Sequence, residues 1–350
     1  MSRPVPARPP RRTLLRRLLS MLIAVAVLAA GLFVDSRRAL DTPLALREAS
    51  SFVIAPGSPL PKVLAQAQAA GLFASGRQAR YLGLLARYNG SALAIKAGEY
   101  RIEPGLTPRG LLALWVSGRT VLHELRLIEG WRFADAVRQV RATPTLTATL
   151  AADLDETGLM AALGRPGQRA EGRLFPDTYR HARGTDDVVV LRQALAAQDA
   201  VLAEEWAARQ PGLPYDSAEQ ALVMASIVEK ETGVAAERPA IAGVFVRRLK
   251  LGMRLQTDPT VIYGLGAAYD GDLRKRDLVT DTPYNTYTRD GLPPTPICLP
   301  GREAIHAALH PADGDALYFV ARGDGSHQFS ATLDEHNAAV RRYQLRGGAR

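Results

Sequence analysis

Residues 216–233, DSAEQALVMASIVEKETG, decide how the second half of this chain folds. At about 100° per residue the apolar side chains cover most of the circumference, so the pattern predicts a helix packed inside a domain. Asp216 or Ser217 can serve as the N-cap, Glu219 completes an Asp-x-x-Glu capping pattern, and Gly233 supplies the stop. We therefore expect an interior helix around which the neighbouring segments are organised.

Two glutamates near the end of this helix are candidates for chemistry. Glu229 projects among small and apolar residues, whereas Glu231 points to roughly the opposite side, so they are not expected to share one site. Burial beside apolar residues raises the pKa of a carboxyl group, as a general acid at neutral pH requires. The alternative is a half-exposed or ion-paired structural glutamate, and periodicity does not choose between Glu229 and Glu231.

Length and composition indicate a folded protein of one large or two ordinary domains. The chain has 350 residues, of which 47% are hydrophobic. Its formal charge of +9 is concentrated at one end, because six arginines precede the first acid and removing them leaves +3. No basic stripe with interleaved aromatic residues follows, so nucleic acid is not an expected partner.

Residues 18–34, LLSMLIAVAVLAAGLFV, form an uncharged apolar run directly after an arginine pair. A cleavable signal is the alternative, but the run continues beyond its small residues and therefore favours a retained transmembrane helix. The basic tail, residues 1–17, then stays in the cytoplasm by the positive-inside rule. The sequence thus predicts a single-pass inner-membrane protein whose remaining residues lie in the periplasm.

Residues 45–120 read as strand, helix, helix, strand and helix, which predicts a small α+β subdomain. Similar units in envelope proteins are LysM-like glycan-binding modules, and the alternative is a subdomain that only packs. Residues 121–343 predict a larger mixed α+β domain, followed by a short tail at 344–350. Within it we expect a strand at 121–128 and helices at 133–140, through most of 144–163, and at 186–208 and 240–251.

Polar, aromatic and proline-rich loops dominate the chain after residue 252. Long loops of this kind in a compact domain are usually functional, although solvated loops without a role are the alternative. Amides, hydroxyls and tyrosines suit the recognition of sugars. From residue type and loop position, the candidates for holding a sugar are Gln256, Asp258, Asn285 and Tyr287.

No cofactor or metal site is expected from the sequence. The only cysteine is Cys298, which excludes a disulfide framework and a cysteine-based metal site. His306 and His310 are four residues apart, but they lack an intervening acid and Pro311 follows directly, so surface or packing roles are favoured. No glycine-rich phosphate loop follows a strand.

Three long motifs resemble one family. They are ASIVEKET at residues 225–232, GMRLQTDPTVIYG at 252–264, and YNTY with GLPPTPI at 284–287 and 291–297. Together with AGEYRI, EGWR, FPDTY and the terminal ALYFVARGDGSHQFS, they are similar to the YceG-like endolytic murein transglycosylases. Arg173 departs from that pattern, because an aromatic residue is expected at its position.

This resemblance implies a membrane-anchored lyase of peptidoglycan assembly that acts on nascent glycan strands, with peptidoglycan synthases as candidate partners. It implies that Glu229 is the catalytic residue: as acid it protonates the oxygen between MurNAc and GlcNAc, and as base it activates the MurNAc C6 hydroxyl. The products then carry 1,6-anhydroMurNAc ends, and strand elongation is terminated.

Two other functions stay open at this point. A hydrolytic muramidase would use a second carboxylate beside the acid, and Asp258 is the candidate, unless it only caps the turn or helix that follows it. A noncatalytic peptidoglycan-binding scaffold would not depend on Glu229 at all.

Overall fold

The computed structural model describes residues 11–345. The chain divides into two compact units, one up to Leu122 and one from His123 onward. Much of the predicted basic tail (residues 1–10) and most of the predicted C-terminal tail (346–350) lie outside the described residues. The predicted fold class is confirmed as mixed α+β with one apolar helix near the N-terminus.

Helix α1 (Arg11–Asp41) contains the predicted apolar run. Its segment Leu15–Asp41 is long and apolar enough to cross a membrane. Large apolar side chains such as Leu22 and Phe33 are exposed along it. The apolar run, which is not buried against protein, is compatible with a single-pass membrane anchor, whereas the end of α1 packs in the first unit, where Leu40 is buried.

The first unit has the predicted order of strand, helix, helix, strand and helix. Its elements are β1 (Ser50–Ile54), α2 (Leu60–Ala69), α3 (Gly76–Tyr88), β2 (Gly98–Ile102) and α4 (Pro108–Ser117). Strands β1 and β2 pair antiparallel, with Phe52 opposite Tyr100. Trp115 of α4 is fully buried and stacks on Phe52, so the helices cover one face of the two-stranded sheet.

The second unit begins with short strands around a long helix. The elements are β3 (Leu122–Arg126), α5 (Phe133–Arg141), β4 (Leu146–Thr147), α6 (Glu156–Ala162), β5 (Thr178–Ala182), β6 (Thr185–Asp186) and α7 (Asp187–Ala207). Strand β3 pairs with β5, and β4 pairs with β6. The expectation that 144–163 is mostly helical is wrong. Residues 146–147 pair with β6 instead, and only α6 is helical.

Helix α8 (Ala218–Glu231) lies at the centre of the second unit. Every residue from Ala221 to Val228 is buried, as the sequence pattern predicts. It packs against α9 (Arg238–Lys250) and α12 (Arg302–Leu309), and their apolar side chains form one core cluster. The position of α8 is therefore fixed by tertiary packing.

The remaining elements surround the loops that follow α9. They are α10 (Asp258–Leu265), α11 (Lys275–Val279), β7 (Tyr318–Ala321), β8 (His327–Ser330) and α13 (Leu333–Val340). Strands β7 and β8 form an antiparallel pair, with Phe319 opposite Phe329. The sequence pattern does not predict the short helix α11, because five residues are too few to show a period.

Gly172 occupies a position where the backbone and its neighbours both require glycine. Its φ is +79°, and a Cβ atom there would lie 2.6 Å from the ring of Pro296. Gly167 has nearly the same φ, +78°, but a Cβ atom added there would meet no neighbouring atom within 4 Å. Comparing alanine substitutions at the two glycines therefore separates the energetic cost of backbone strain from that of steric overlap.

We predict that Gly172→Ala destabilises the protein by more than Gly167→Ala. The latter should cost about 1–2 kcal/mol for the left-handed backbone alone. The former should add roughly 1–3 kcal/mol of overpacking against Pro296. Urea unfolding followed by tryptophan fluorescence measures both, and equal losses would show that Pro296 simply moves aside.

Candidate active site

The N-terminal end of α8 is capped differently from the sequence expectation. Ser217 is the N-cap, and its hydroxyl accepts a hydrogen bond from the backbone N–H of Gln220 at 3.4 Å. Glu219 does not complete a capping box with Asp216, because its carboxylate pairs with the guanidinium of Arg173. Arg173, the departure from the family pattern, is thus engaged with the start of α8.

Glu231, at the C-terminal end of α8, lies beside a cleft. The helix ends at Glu231, because Thr232 has an extended backbone, two residues before the predicted stop. The hydroxyl of Thr257 donates a hydrogen bond to Glu231 Oε1. Glu231 is partly buried and lies on the cleft wall.

We call this space the Glu231 cleft, and its volume is about 430 Å³. Its lining comes from α8, α9, the loop before α10, the first residue of α10, the loop after α11, both strands β7 and β8, α13, and the helical segment Arg341–Leu345 that follows α13. The polar lining consists of Glu231, Arg248, Gln256, Thr257, Asp258, Tyr287, Tyr318, His327, His336 and Gln344.

Burial raises the pKa of Glu231 to about 7. The hydrogen bond from Thr257 lowers it in part, the charge of Asp258 raises it, and the charges of His327 and Arg248 lower it. Glu231 can therefore carry a proton near neutral pH and donate it, as a general acid must.

The loop that forms one wall of the cleft holds a strained residue. Gln256 has a φ of +50° and, within residues 11–345, is the only non-glycine residue with positive φ. Its backbone N–H donates to the carbonyl of Thr286, and the N–H of Thr257 donates to the Thr286 hydroxyl at 3.0 Å. Strained backbone held by surrounding hydrogen bonds is concentrated at functional sites.

Asp258 and Tyr287 are hydrogen-bonded to each other on the wall of the cleft. The Tyr287 hydroxyl donates to Asp258 Oδ1 at 2.6 Å, and burial raises the pKa of that tyrosine. Asp258 is also the first residue of α10, where an acid is favoured by the helix dipole. The structural and functional interpretations of Asp258 are thus compatible.

Asn285 corrects one part of the predicted sugar site. Its side chain is fully buried, and its amide nitrogen donates to the carbonyls of Asp277, Leu278 and Thr280 at 3.2, 3.1 and 2.7 Å. Its oxygen accepts from the backbone N–H of Tyr287 at 2.9 Å. Its side chain is thus buried and bonded within the protein and is not part of the cleft lining, so Asn285 shapes the loop that carries Tyr287.

Glu229 lies in a separate environment. Its side chain is 6% exposed, Oε2 accepts from the backbone N–H of Gly301 at 3.0 Å, and Oε1 is 3.5 Å from the guanidinium of Arg238. Burial raises its pKa, although the Gly301 hydrogen bond and Arg238 oppose the effect. Among residues 11–345, those that line the Glu231 cleft do not include Glu229.

The structure therefore groups the predicted residues in an unexpected way. Gln256, Asp258 and Tyr287 share a cleft with Glu231, the glutamate to which the family resemblance assigns no role. Arg248, His327 and His336 also line the cleft, and sequence reasoning missed them. The sequence signal for this grouping was that Glu229 and Glu231 point to opposite sides of the helix and so meet different surroundings.

A second cluster brings His306 and His310 together with Glu205 of α7, and their candidate ligand atoms lie within 4.8 Å of one another. His306 Nδ1 is 2.8 Å from Glu205 Oε2, and Arg302 donates to Glu205 Oε1 at 3.0 Å. Both ring nitrogens of His310 lie within hydrogen-bond distance of backbone carbonyls. Glu205, His306 and His310 thus each have a hydrogen-bond or ion-pair partner within the protein, as in an ion-pair network.

The first unit contains its own cavity of about 470 Å³. The lining comes from the segment that joins β1 to α2 and from the segment that joins α3 to β2. Leu93 is part of this lining and is 98% exposed. An apolar side chain this exposed beside a cavity is available to a ligand.

Comparison with known proteins decides the family. The model of the YceG-like family matches residues 52–342, which is most of the chain and nearly all of the second unit. The chain belongs to the YceG-like family. The predicted resemblance is confirmed.

Relatives of this YceG-like chain are named endolytic murein transglycosylase. The one from Bacillus subtilis strain 168 is 42% identical over 173 residues, 49% of this chain and 48% of its own length. The one from Streptococcus pneumoniae strain D39 is 28% identical over 359 aligned residues, 92% of this chain and 64% of its own length. The chain thus spans about half to two thirds of these relatives.

A solved structure also resembles this YceG-like chain. It is the crystal structure of a YceG-like protein from Listeria monocytogenes, with 29% sequence identity and a TM-score of 0.51. The match covers 84% of this chain and 99% of that chain.

We predict that Glu231 titrates with a midpoint at about pH 7 and that Thr257→Val moves this midpoint upward, because the lost hydrogen bond favours the carboxylate. Carbon-13 NMR of protein with labelled glutamate measures the midpoint, and Glu231→Gln assigns the signal. Glu171 is the internal control, because burial also raises its pKa to about 7 but its partners are Phe133 and Tyr263. A Glu231 midpoint near 4.5, or an equal shift of both signals, would contradict the prediction.

Proposed function

We propose that the protein is an endolytic murein transglycosylase, a lyase that cleaves the MurNAc–GlcNAc bond of nascent glycan strands and leaves 1,6-anhydroMurNAc ends. The names of the relatives support this reaction. The observation that carries the proposal is the Glu231 cleft, which combines a carboxyl group of pKa about 7 with polar and aromatic side chains suited to sugars.

Glu231 is the proposed acid, in place of Glu229. A catalytic acid has to reach the glycosidic oxygen, and Glu231 lies on the wall of a cleft that also contains Gln256 and Asp258. Glu229 instead accepts a hydrogen bond from Gly301 and pairs with Arg238. Glu229, the acid that the family resemblance implies, is the alternative, and the variant Glu229→Gln tests it.

The reaction needs only one well-placed carboxyl group. Protonated Glu231 donates its proton to the glycosidic oxygen as the bond to MurNAc C1 breaks. The resulting carboxylate accepts the proton of the MurNAc C6 hydroxyl, whose oxygen attacks C1 and closes the 1,6-anhydro ring. Both protons are accounted for, and no water enters the product.

Asp258, Gln256 and Tyr287 are the proposed sugar contacts. The Asp258 carboxylate, fixed by the Tyr287 hydroxyl, would stabilise positive charge that develops at C1. The side chain of Gln256 offers both a donor and an acceptor to sugar hydroxyls. That all three residues line the Glu231 cleft supports these roles.

A hydrolytic muramidase is the second candidate, because Asp258 supplies a second carboxylate to the same cleft. In that reaction Asp258 would act as nucleophile or would activate a water molecule. The products distinguish the two reactions. Hydrolysis leaves a reducing MurNAc end, whereas ring closure leaves a product lighter by one water.

We predict that Glu231→Gln lowers the rate of anhydro-product release from purified sacculi or nascent strands by at least about 100-fold, the usual minimum contribution of a general acid. Glu229→Gln is the matched control, because it makes the same change in a buried glutamate two positions earlier on the same helix, and it should keep most of the activity. Mass spectrometry of soluble products provides the rate and the product type.

Three results would contradict this proposal. Loss of activity in Glu229→Gln with full activity in Glu231→Gln would return the acid to Glu229. Reducing ends would indicate the muramidase. No soluble fragments from the wild-type protein, with glycan binding retained, would indicate a scaffold.

We further propose that α1 anchors the protein in the inner membrane, with its basic end in the cytoplasm and both units in the periplasm, where peptidoglycan synthases are candidate partners. In this arrangement the first unit is a LysM-like module that binds glycan. Its strand–helix–helix–strand order and the cavity beside Leu93 support this role.

We predict that Leu93→Asp weakens the binding of Glu231→Gln protein to sacculi, because a charge replaces an exposed apolar contact in the cavity. Tyr88→Asp is the control, since Tyr88 is 92% exposed in the same unit but does not line that cavity. Cosedimentation measures binding, and equal effects of the two substitutions would argue against a glycan site there.

A further inference from the structure

His327 and Glu237 form a carboxylate–imidazole pair at the edge of the Glu231 cleft. Glu237 Oε2 is 2.7 Å from His327 Nδ1, and Glu237 Oε1 accepts from the backbone N–H of His327 at 2.9 Å. Both side chains are largely buried, with 11% of His327 and 16% of Glu237 exposed. Two hydrogen bonds from one residue therefore fix the position of the imidazole.

The pairing determines which ring nitrogen carries a proton. Burial alone would raise the pKa of Glu237, but the hydrogen bonds from His327 lower it, so Glu237 is an ionised acceptor. Nδ1 must then be the donor. In the neutral imidazole Nε2 is consequently an acceptor, and no group within residues 11–345 forms a hydrogen bond with it.

The surroundings of the imidazole keep it in place. Phe319 meets the ring edge-on, with centroids 5.4 Å apart, and His327 pairs with Ala321 across strands β7 and β8. His327 also lines the cleft into which Glu231 projects. A fixed acceptor without a protein partner, on the wall of a polar cleft, is arranged to meet a ligand.

We propose that His327, oriented by Glu237, is a substrate-binding residue whose neutral Nε2 accepts a hydrogen bond from a hydroxyl or acetamido N–H group of the sugar in the Glu231 cleft. This inference rests on the proposed glycan substrate. It adds a contact from β8, on a different element from the loop residues Gln256, Asp258 and Tyr287.

The contact needs the neutral imidazole, because an imidazolium ion offers two donors and no acceptor. The charged and titratable groups around His327 and along the cleft are Glu231, Glu237, Arg248, Asp258, Tyr287, Arg322 and His336. Work in a Glu231→Gln background removes the titration of Glu231 itself and prevents cleavage.

The experiment measures the affinity of full-length Glu231→Gln protein in detergent for soluble uncrosslinked glycan strands across pH 5–8. Adding His327→Phe, which keeps a ring but has no acceptor, should weaken binding about 5- to 100-fold, the usual consequence of losing one partner of a buried hydrogen bond. His306→Phe is the control, because His306 also pairs with a glutamate, Glu205, but lies outside the cleft.

Glu237→Gln provides a second variant if His327→Phe does not fold. Glu237 accepts two hydrogen bonds from His327 with its two oxygens, whereas an amide has one oxygen, so the imidazole is held less firmly and binding should weaken in the same direction. Unchanged affinity in the folded variants would overturn the proposal, as would equal effects of His306→Phe. Failure of the wild-type protein to release anhydro products would instead contradict the proposed reaction and leave the binding result interpretable.

Discussion

Burial of α8 on nearly all sides places its two terminal acids in different surroundings. The helix is packed from Ala221 to Val228 against α9 and α12, so it cannot rotate to exchange the positions of Glu229 and Glu231. Both carboxyl groups lie at the negative end of the helix dipole, and burial raises the pKa of each. What distinguishes them is access to a cleft.

The cleft depends in turn on a second constraint, the hydrogen bonding between two loops. Thr286 holds the backbone of Gln256 and Thr257, while the buried amide of Asn285 donates to three carbonyls at the end of α11. These contacts offset the cost of the positive φ at Gln256. The result is a wall that is ordered before any ligand arrives, which lowers the cost of binding.

Much of the fold was predictable because its signals are local. The apolar run of α1, the order of elements in the first unit and the burial of α8 all follow from periodicity and from turn residues. The helical prediction for residues 144–163 was wrong because pairing between β4 and β6 outweighs the helix propensity of the residues there. Asn285 was predicted to hold a sugar because an amide in a polar loop is typical of a ligand contact, and its partners within the protein are not visible in the sequence.

The choice between Glu229 and Glu231 could not come from the sequence. Periodicity showed that they point apart, but the identity of the group facing each one depends on residues far away in the chain. Thr257 meets Glu231, whereas Gly301 meets Glu229. The same is true of His327, whose pairing with Glu237 joins segments ninety positions apart.

The most direct test of the central claim is a crystal structure of Glu231→Gln protein with a bound glycan strand. The account predicts a glycosidic oxygen within hydrogen-bond distance of the side chain at position 231, with sugar rings against Gln256, Asp258 and Tyr287. A strand whose scissile bond lies beside Glu229 and Gly301, with the Glu231 cleft empty, would contradict it.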